Sequence, residues 1–302
     1  MSGLSDNSRG ALFMAICMAG FVLNDAMIKL ATQEISLFQA IFLRGILASL
    51  LIGTLAWLRG QLFYRVSRGD GKMLTLRVIG ELGGTICYLT ALMHIPIANA
   101  TAILQALPLA VTLGAAVFLN EPVGWRRYAA IAIGFAGVLI IVRPGAEGFD
   151  AFALLAVVAV GFVTLRDLAT RQLSGPVPSL FVAFCTAVTI MLFGAVMLPF
   201  TEWQPVETAH LLTLTVAACA LFFGYVFSVS SMRVGEVAFV APFRYTILIW
   251  AILLGIFIFG DVPDFWTLIG AGVIVATGIF TFYRERRLSH RTVAAAVVQT
   301  AE

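Results

Sequence analysis

The chain has 302 residues, 61% of them hydrophobic and 12% charged, at a mean hydropathy of +0.99. Soluble domains carry about 25% charged residues, so this chain cannot cover itself with polar surface in water, whereas long apolar runs are what a bilayer-spanning chain requires. A net charge of +3 gives no sign of the concentrated basic patch that a nucleic-acid-binding domain needs.

A span needs about 20 apolar residues. The pattern predicts ten, over Gly10–Ala31, Leu37–Leu58, Leu74–His94, Ile97–Leu119, Arg126–Val142, Phe152–Arg171, Ser179–Phe200, Ala209–Met232, Val237–Phe259 and Phe265–Tyr283. The first run is too long for the apolar part of a signal peptide, and no small-residue cleavage site with polar flanks follows it. The breaks His94-Ile95-Pro96 and Arg233-Val234-Gly235-Glu236 are short, but proline and glycine mark them as turns. The four cysteines, Cys17, Cys87, Cys185 and Cys219, fall inside apolar runs without metal-ligand spacing and read as small buried hydrophobes.

Basic residues test the count. With the N-terminus inside, the inner segments hold Arg9, Arg59, Arg65, Arg68, Lys72, Arg126, Arg127, Arg171, Arg233, Arg284, Arg286, Arg287 and Arg291, against Arg143 alone outside. Cytoplasmic loops carry the excess of Lys and Arg. A missed helix in the middle would scramble this bias, so ten spans with both termini cytoplasmic are expected.

The two halves also resemble each other. Met93-His94-Ile95-Pro96-Ile97-Ala98 aligns with Met232-Arg233-Val234-Gly235-Glu236-Val237, and Glu121, Trp125 and Gly137 align with Asp261, Trp266 and Gly278. Five spans per half is an odd number, so the second copy enters the membrane from the opposite side. Inverted repeats put a solute site near the midplane, between the halves. The expected organisation is one five-helix repeat over 1–146, an inverted repeat over 147–287 and a disordered cytoplasmic tail over 288–302.

The run Ala98-Asn99-Ala100-Thr101-Ala102-Ile103-Leu104-Gln105-Ala106-Leu107-Pro108, the helix end Leu119-Asn120-Glu121-Pro122, and the stretch from Ala241-Pro242-Phe243-Arg244-Tyr245 to Phe259-Gly260-Asp261 resemble the drug/metabolite transporter superfamily, in its ten-helix EamA type. The resemblance covers about residues 9–284. It implies export or import of amino acids, nucleosides, vitamins or other metabolites. It also implies a central cavity lined mainly by the first four helices of each half, with the fifth and tenth at the periphery.

Ionisable groups inside a span are expensive and mark function by default. On the first span Asn24, Asp25 and Lys29 lie together; Asp25 and Lys29 stand at i,i+4 and can pair, or Lys29 snorkels to the interface. On the second, Arg44 needs a partner, for which Glu81 is the obvious candidate. Glu81, Thr85 and Tyr88 form a polar stripe with Arg77 one turn below, so an Arg44–Glu81 or Arg77–Glu81 pair reads equally as a helix lock or a cavity wall. Gly80 and Gly84 permit close helix contact there. Gln105 on the fourth span and Arg244 on the ninth correspond in the repeat and are expected to face each other across the cavity. The Arg244 guanidinium suits a carboxylate or phosphate, with Tyr245 beside it. Arg166 and Asp167, as sequence neighbours, point to different faces and do not form a simple pair. Trp57, Trp125, Trp203 and Trp266 sit at span ends as an interfacial belt, whereas Trp250 lies deep and is a candidate for the cavity wall, with Tyr88, Tyr225 and Tyr245.

The expected function is a secondary transporter of a small metabolite, amino acids or related compounds first, working by alternating access. The alternative is uptake of a vitamin or nucleoside-like metabolite of riboflavin or S-adenosylmethionine type. A membrane-embedded lipid-modifying enzyme is the remote alternative: none of His94, His210 and His290 has an acid at helical spacing, and no phosphate-cradling loop is present. The lipid bilayer and a small solute are the expected partners, with no cofactor and no nucleic acid; a homodimer and proton coupling through Asp25 or Glu81 stay open.

Overall fold

The computed structural model describes residues 5–121, 123–144, 150–234 and 236–299, and the side chains of all of these except 229, 232, 233, 237, 238 and 285–299. The described residues contain helices and no strand, and ten helices are long and apolar enough to cross a bilayer. They are α1 (Asp6–Ala31), α2 (Leu37–Leu58), α3 (Arg68–His94), α4 (Ile97–Phe118), α5 (Trp125–Val142), α6 (Ala151–Arg171), α7 (Ser179–Phe200), α8 (Thr208–Val234), α9 (237–259) and α10 (Phe265–Gln299). A helix of 22 residues such as α2 is about 33 Å long, matching a hydrocarbon core of about 30 Å.

Local chemistry sets the helix starts. The Ser5, Ser36 and Ser67 hydroxyls accept from the N–H groups of Ser8, Gln39 and Asp70, and the Asp150 carboxylate accepts from Phe152 N–H. Each satisfies a donor that the first helical turn leaves unpaired. With such caps α1 and α3 begin at Asp6 and Arg68, about one to two turns before their apolar runs. The stretch expected as a tail falls wholly where side chains are not described; the backbone of α10 continues through it to Gln299, and residues 300–302 lie outside the described residues.

Two spans are broken. The helix of α4 stops at Leu104 and resumes at Leu107, with Pro108, which has no N–H to donate, in the restarted first turn. In α9, residues Ala241–Thr246 form a 3-10 segment around Pro242, and Gly255–Phe259 widen into a π turn. Both are the fourth span of their half.

The helices pack as α1 on α8, α2 on α7, α3 on α6, α4 on α9 and α5 on α10, with α4 also touching α6 and α1 touching α9. Small residues permit the close approaches. A Cβ on Gly80 would come within 2.7 Å of both the Phe162 carbonyl oxygen and the Arg166 nitrogen, so α3 and α6 meet backbone to backbone. Bulky apolar groups such as Leu50, Val117 and Phe257 face outward, where lipid rather than water meets them. Trp57, Trp125, Trp203 and Trp266 are all at least half exposed near helix ends.

A polar cavity between α1, α2, α3, α7 and α8

A cavity of about 150 Å³ lies among these five helices, lined by Asn24, Asp25, Arg44, Glu81, Thr85, Tyr88, Thr186 and Tyr225 together with small apolar residues. A hydrogen-bonded chain runs along it. Arg44 Nη1 donates to Asn24 Oδ1 at 2.9 Å, Asn24 Nδ2 donates to Asp25 Oδ1 at 2.9 Å, and Tyr88 OH donates to Asp25 Oδ2 at 3.0 Å. Only this orientation of the Asn24 amide satisfies a cation on one side and a carboxylate on the other. The Arg44 side chain is buried, yet its Nε has no hydrogen-bond partner.

Beside this chain, Arg166 reaches from α6, with Nη1 3.3 Å from Glu81 Oε2 and Nε 2.8 Å from Asp167 Oδ1. Glu81 is therefore paired with Arg166, not with Arg44 or Arg77; the Arg77 guanidinium instead donates to Thr170 Oγ1 at 2.8 Å. The expected Arg44–Glu81 pair is corrected accordingly. The cause is that α3 lies against α6 along its length, which brings Arg166 to Glu81 first. The adjacent Arg166 and Asp167 do bond each other, because the long guanidinium folds back along the helix surface. Arg166 was detectable as a charge set within a span, but its partner was not.

Asp25 and Lys29 do not pair either. The carboxylate is taken by Asn24 and Tyr88, while Lys29 Nζ donates to the Ile95 carbonyl at 2.6 Å, stands 3.9 Å from Asp261 Oδ2 and lies 5.2 Å from the centre of the Phe259 ring. Lys29 thus ties α1 to two loops at the face opposite the chain termini. Other contacts bind that face. Gln39 and Gln204 exchange side-chain and backbone bonds, His210 Nε2 lies 2.6 Å from Glu34 Oε2, and Arg143 bonds Asp264.

Five of the ten expected cavity residues, Asn24, Asp25, Arg44, Glu81 and Tyr88, line this one cavity. Gln105 is buried at the break in α4, and Arg244 sits in the 3-10 segment of α9 close to Cys17 and Tyr245, its Nε buried without a partner. Neither lines the polar cavity. Trp250 is 37% exposed and lines neither the polar cavity nor the apolar crevice beside α9. Tyr245 points to α10, its hydroxyl filling the notch left by Gly278, and borders a larger crevice of about 640 Å³ between α4, α9 and α10. That crevice is walled by Phe243, Leu248, Ile252, Val275 and similar groups. It offers few polar atoms to orient a solute, so the smaller polar cavity is the candidate site. Thr186 was missed in the sequence; its hydroxyl donates to its own helix at Val182, which leaves no pattern to read.

Ten apolar helices around a buried polar cavity define a multi-pass membrane transporter. The chain matches the EamA-like transporter family model twice, over residues 8–143 and 150–283, and it belongs to that family. It is 25% identical over 276 residues to the S-adenosylmethionine uptake transporter of Rickettsia conorii, covering 89% of this chain and 90% of the relative. It is 26% identical over 287 residues to the pseudopaline exporter of Pseudomonas aeruginosa, covering 92% and 97%. Against the riboflavin transporter of Vibrio cholerae it is 30% identical over 218 residues, covering 72% and 73%. A solved crystal structure superposes with a TM-score of 0.62 at 22% identity, covering 93% of this chain and 99% of its own, which shows a shared fold. The family and these relatives are transporters, not enzymes. In a bacterium such a helical multi-pass protein resides in the inner membrane.

Proposed function

We propose that this protein is a secondary transporter for a small zwitterionic metabolite, an amino acid or a compound with an amino-acid head. It works by alternating access between two inverted halves, 1–146 and 147–287, with both termini cytoplasmic. One observation carries the substrate class: the Arg44 guanidinium borders the same 150 Å³ cavity as Asp25 and Glu81. A solute carboxylate completes the guanidinium fork, and a solute ammonium meets the carboxylates. S-adenosylmethionine, which the Rickettsia relative takes up, carries that same ammonium and carboxylate at its methionine end.

The inversion has independent support. Replacing each helix by the one five places later turns the α1–α8 contact into α6–α3 and leaves α2–α7, α4–α9 and α5–α10 unchanged, as a two-fold axis requires. The broken fourth span recurs in both halves, at Gln105 and at Arg244, as in transporters whose interrupted helices border the solute path. On this reading Gln105, Arg244 and Tyr245 belong to that path rather than to the central cavity. The basic excess on the face carrying the termini supports a cytoplasmic position for that face.

A second reading, a vitamin or nucleoside-like solute, is favoured by the Tyr88 and Tyr225 rings in the cavity wall and by the riboflavin-transporting relative. Ligand pockets for drug-sized molecules span about 300–1,000 Å³, so a solute of that size, S-adenosylmethionine included, requires the cavity to widen first. Flux into proteoliposomes from a panel of amino acids, S-adenosylmethionine and riboflavin, with and without a pH gradient, separates the readings. Transport of riboflavin but of no zwitterion sinks the first, and loss of gradient dependence in Glu81→Gln makes Glu81 the proton carrier.

A further inference from the structure

Lys29, Asp261, Arg171 and Glu121 lie outside the polar cavity and take no part in the binding just described. Lys29 ends α1 at the face away from the termini and stands 3.9 Å from Asp261, in the α9–α10 loop. Arg171 ends α6 at the opposite face, its Nη2 2.8 Å from Glu121 Oε1 in the α4–α5 loop. These are one arrangement in two copies: the first helix of each half reaches the loop between the fourth and fifth helices of the other half. The backbone around the acids repeats too. Glu121 follows Asn120 at φ 53°, and its N–H reaches back six residues to the Ala115 carbonyl at 3.2 Å. Asp261 follows Gly260 at φ 70°, and its N–H reaches back six residues to Gly255 at 3.0 Å. Helix ends in which a left-handed residue presents the next side chain are common individually. The recurrence of that turn, the acid and the cross-half cation together is not something apolar composition produces.

We propose that Lys29–Asp261 and Arg171–Glu121 are a single gate written twice, one copy at each membrane face, and that transport requires them to break in alternation. This rests on the alternating-access reading above. Both pairs are formed here, on either side of a cavity of about 150 Å³. The copies differ in strength. The Lys29 side chain is 11% exposed and is also held by the Ile95 carbonyl and the Phe259 ring, whereas the Arg171 side chain is 49% exposed. Exposed ion pairs are weak, and desolvated cation–ring contacts are stronger. The cytoplasmic copy, exposed and without those extra contacts, therefore opens more readily than the outer one.

The test reads which face reaches the cavity. With Cys17, Cys87, Cys185 and Cys219 replaced, Thr85→Cys places a reporter in the cavity wall, and a membrane-impermeant thiol reagent is added to intact cells or to inverted vesicles. Asp261→Asn and Lys29→Met each raise labelling from the outside by about five- to tenfold, and the double variant goes no further than Lys29→Met. Glu121→Gln and Arg171→Met raise labelling from the cytoplasmic side by only about two- to fivefold. Labelling unchanged in all four variants, or raised equally at both faces, overturns the proposal. Labelling requires no solute: a sided shift in a protein that moves no zwitterion upholds the gate and removes only the substrate class.

Discussion

Arg44→Lys is the sharpest test of how the cavity holds a solute. The substitution keeps a positive charge near Asp25, which Arg44 reaches through Asn24. What it removes is the planar fork: a lysine ammonium cannot hold Asn24 and also present two parallel donors to a carboxylate. Hydrogen bonds to charged groups are each worth about 1.5–3 kcal/mol, so losing one raises KM by roughly 10- to 150-fold. The charge-deleting Arg44→Met has a different consequence. It strands the Asp25 carboxylate and the Asn24 oxygen, and breaking a buried charge arrangement in this way costs about 3–5 kcal/mol of stability. The assay is initial uptake into proteoliposomes, measured for a transported amino acid and for its carboxamide. Wild type favours the acid over the amide, and Arg44→Lys compresses that preference while the amide KM hardly moves. If Arg44→Lys keeps the full acid-over-amide preference, or lowers Vmax equally for both solutes, Arg44 does not bind the carboxylate.

Two further outcomes follow from packing and charge. Gly80→Ala sets a Cβ 2.7 Å from two backbone atoms of α6 that cannot rotate aside, so α3 and α6 must part. Overpacking of this kind costs about 1–3 kcal/mol and lowers Tm in detergent, whereas Gly161→Ala, inside α6 with open space around it, does not lower Tm; equal Tm values for the two variants refute the close contact. Asp264 lies in the α9–α10 loop. Burial works to raise its pKa, but donations from the Thr267 side chain and backbone and the Arg143 guanidinium outweigh burial and hold it below its ordinary 3.8. A depressed folded value contributes stability that is present above the unfolded value and is lost as pH falls through the folded one. Asp264→Asn therefore lowers Tm slightly near neutrality, by an amount limited because the side chain is 40% exposed. That deficit disappears once pH falls below the depressed folded value, and a deficit that persists in acid means the carboxylate charge is not its source.

The two broken helices show where local reading succeeds and where it stops. Pro108 and Pro242 announce that α4 and α9 cannot keep every backbone bond, because proline donates none. Nothing local announces that α4 resumes at Leu107 while α9 runs through a 3-10 segment and later a π turn. The site divides similarly. Asn24, Asp25, Arg44, Glu81 and Tyr88 stand out because polar groups in apolar runs are costly, and they do gather in one cavity. Trp250 stood out only by its depth along the span, and depth does not fix which way a side chain points: it lines neither cavity.

The ten spans and the family were settled by the sequence itself. Each span is placed by its own composition, since the bilayer rather than another part of the chain receives its side chains. The family motifs likewise lie in short stretches of chain. Partner choice belonged to the tertiary structure. Glu81 takes Arg166, 85 positions away, and leaves Arg44 to Asn24; Lys29 leaves Asp25 for Ile95, 66 positions on. Those choices depend on how each helix is rotated and on which helix the glycines let approach, and that geometry exists only when all ten helices are packed together.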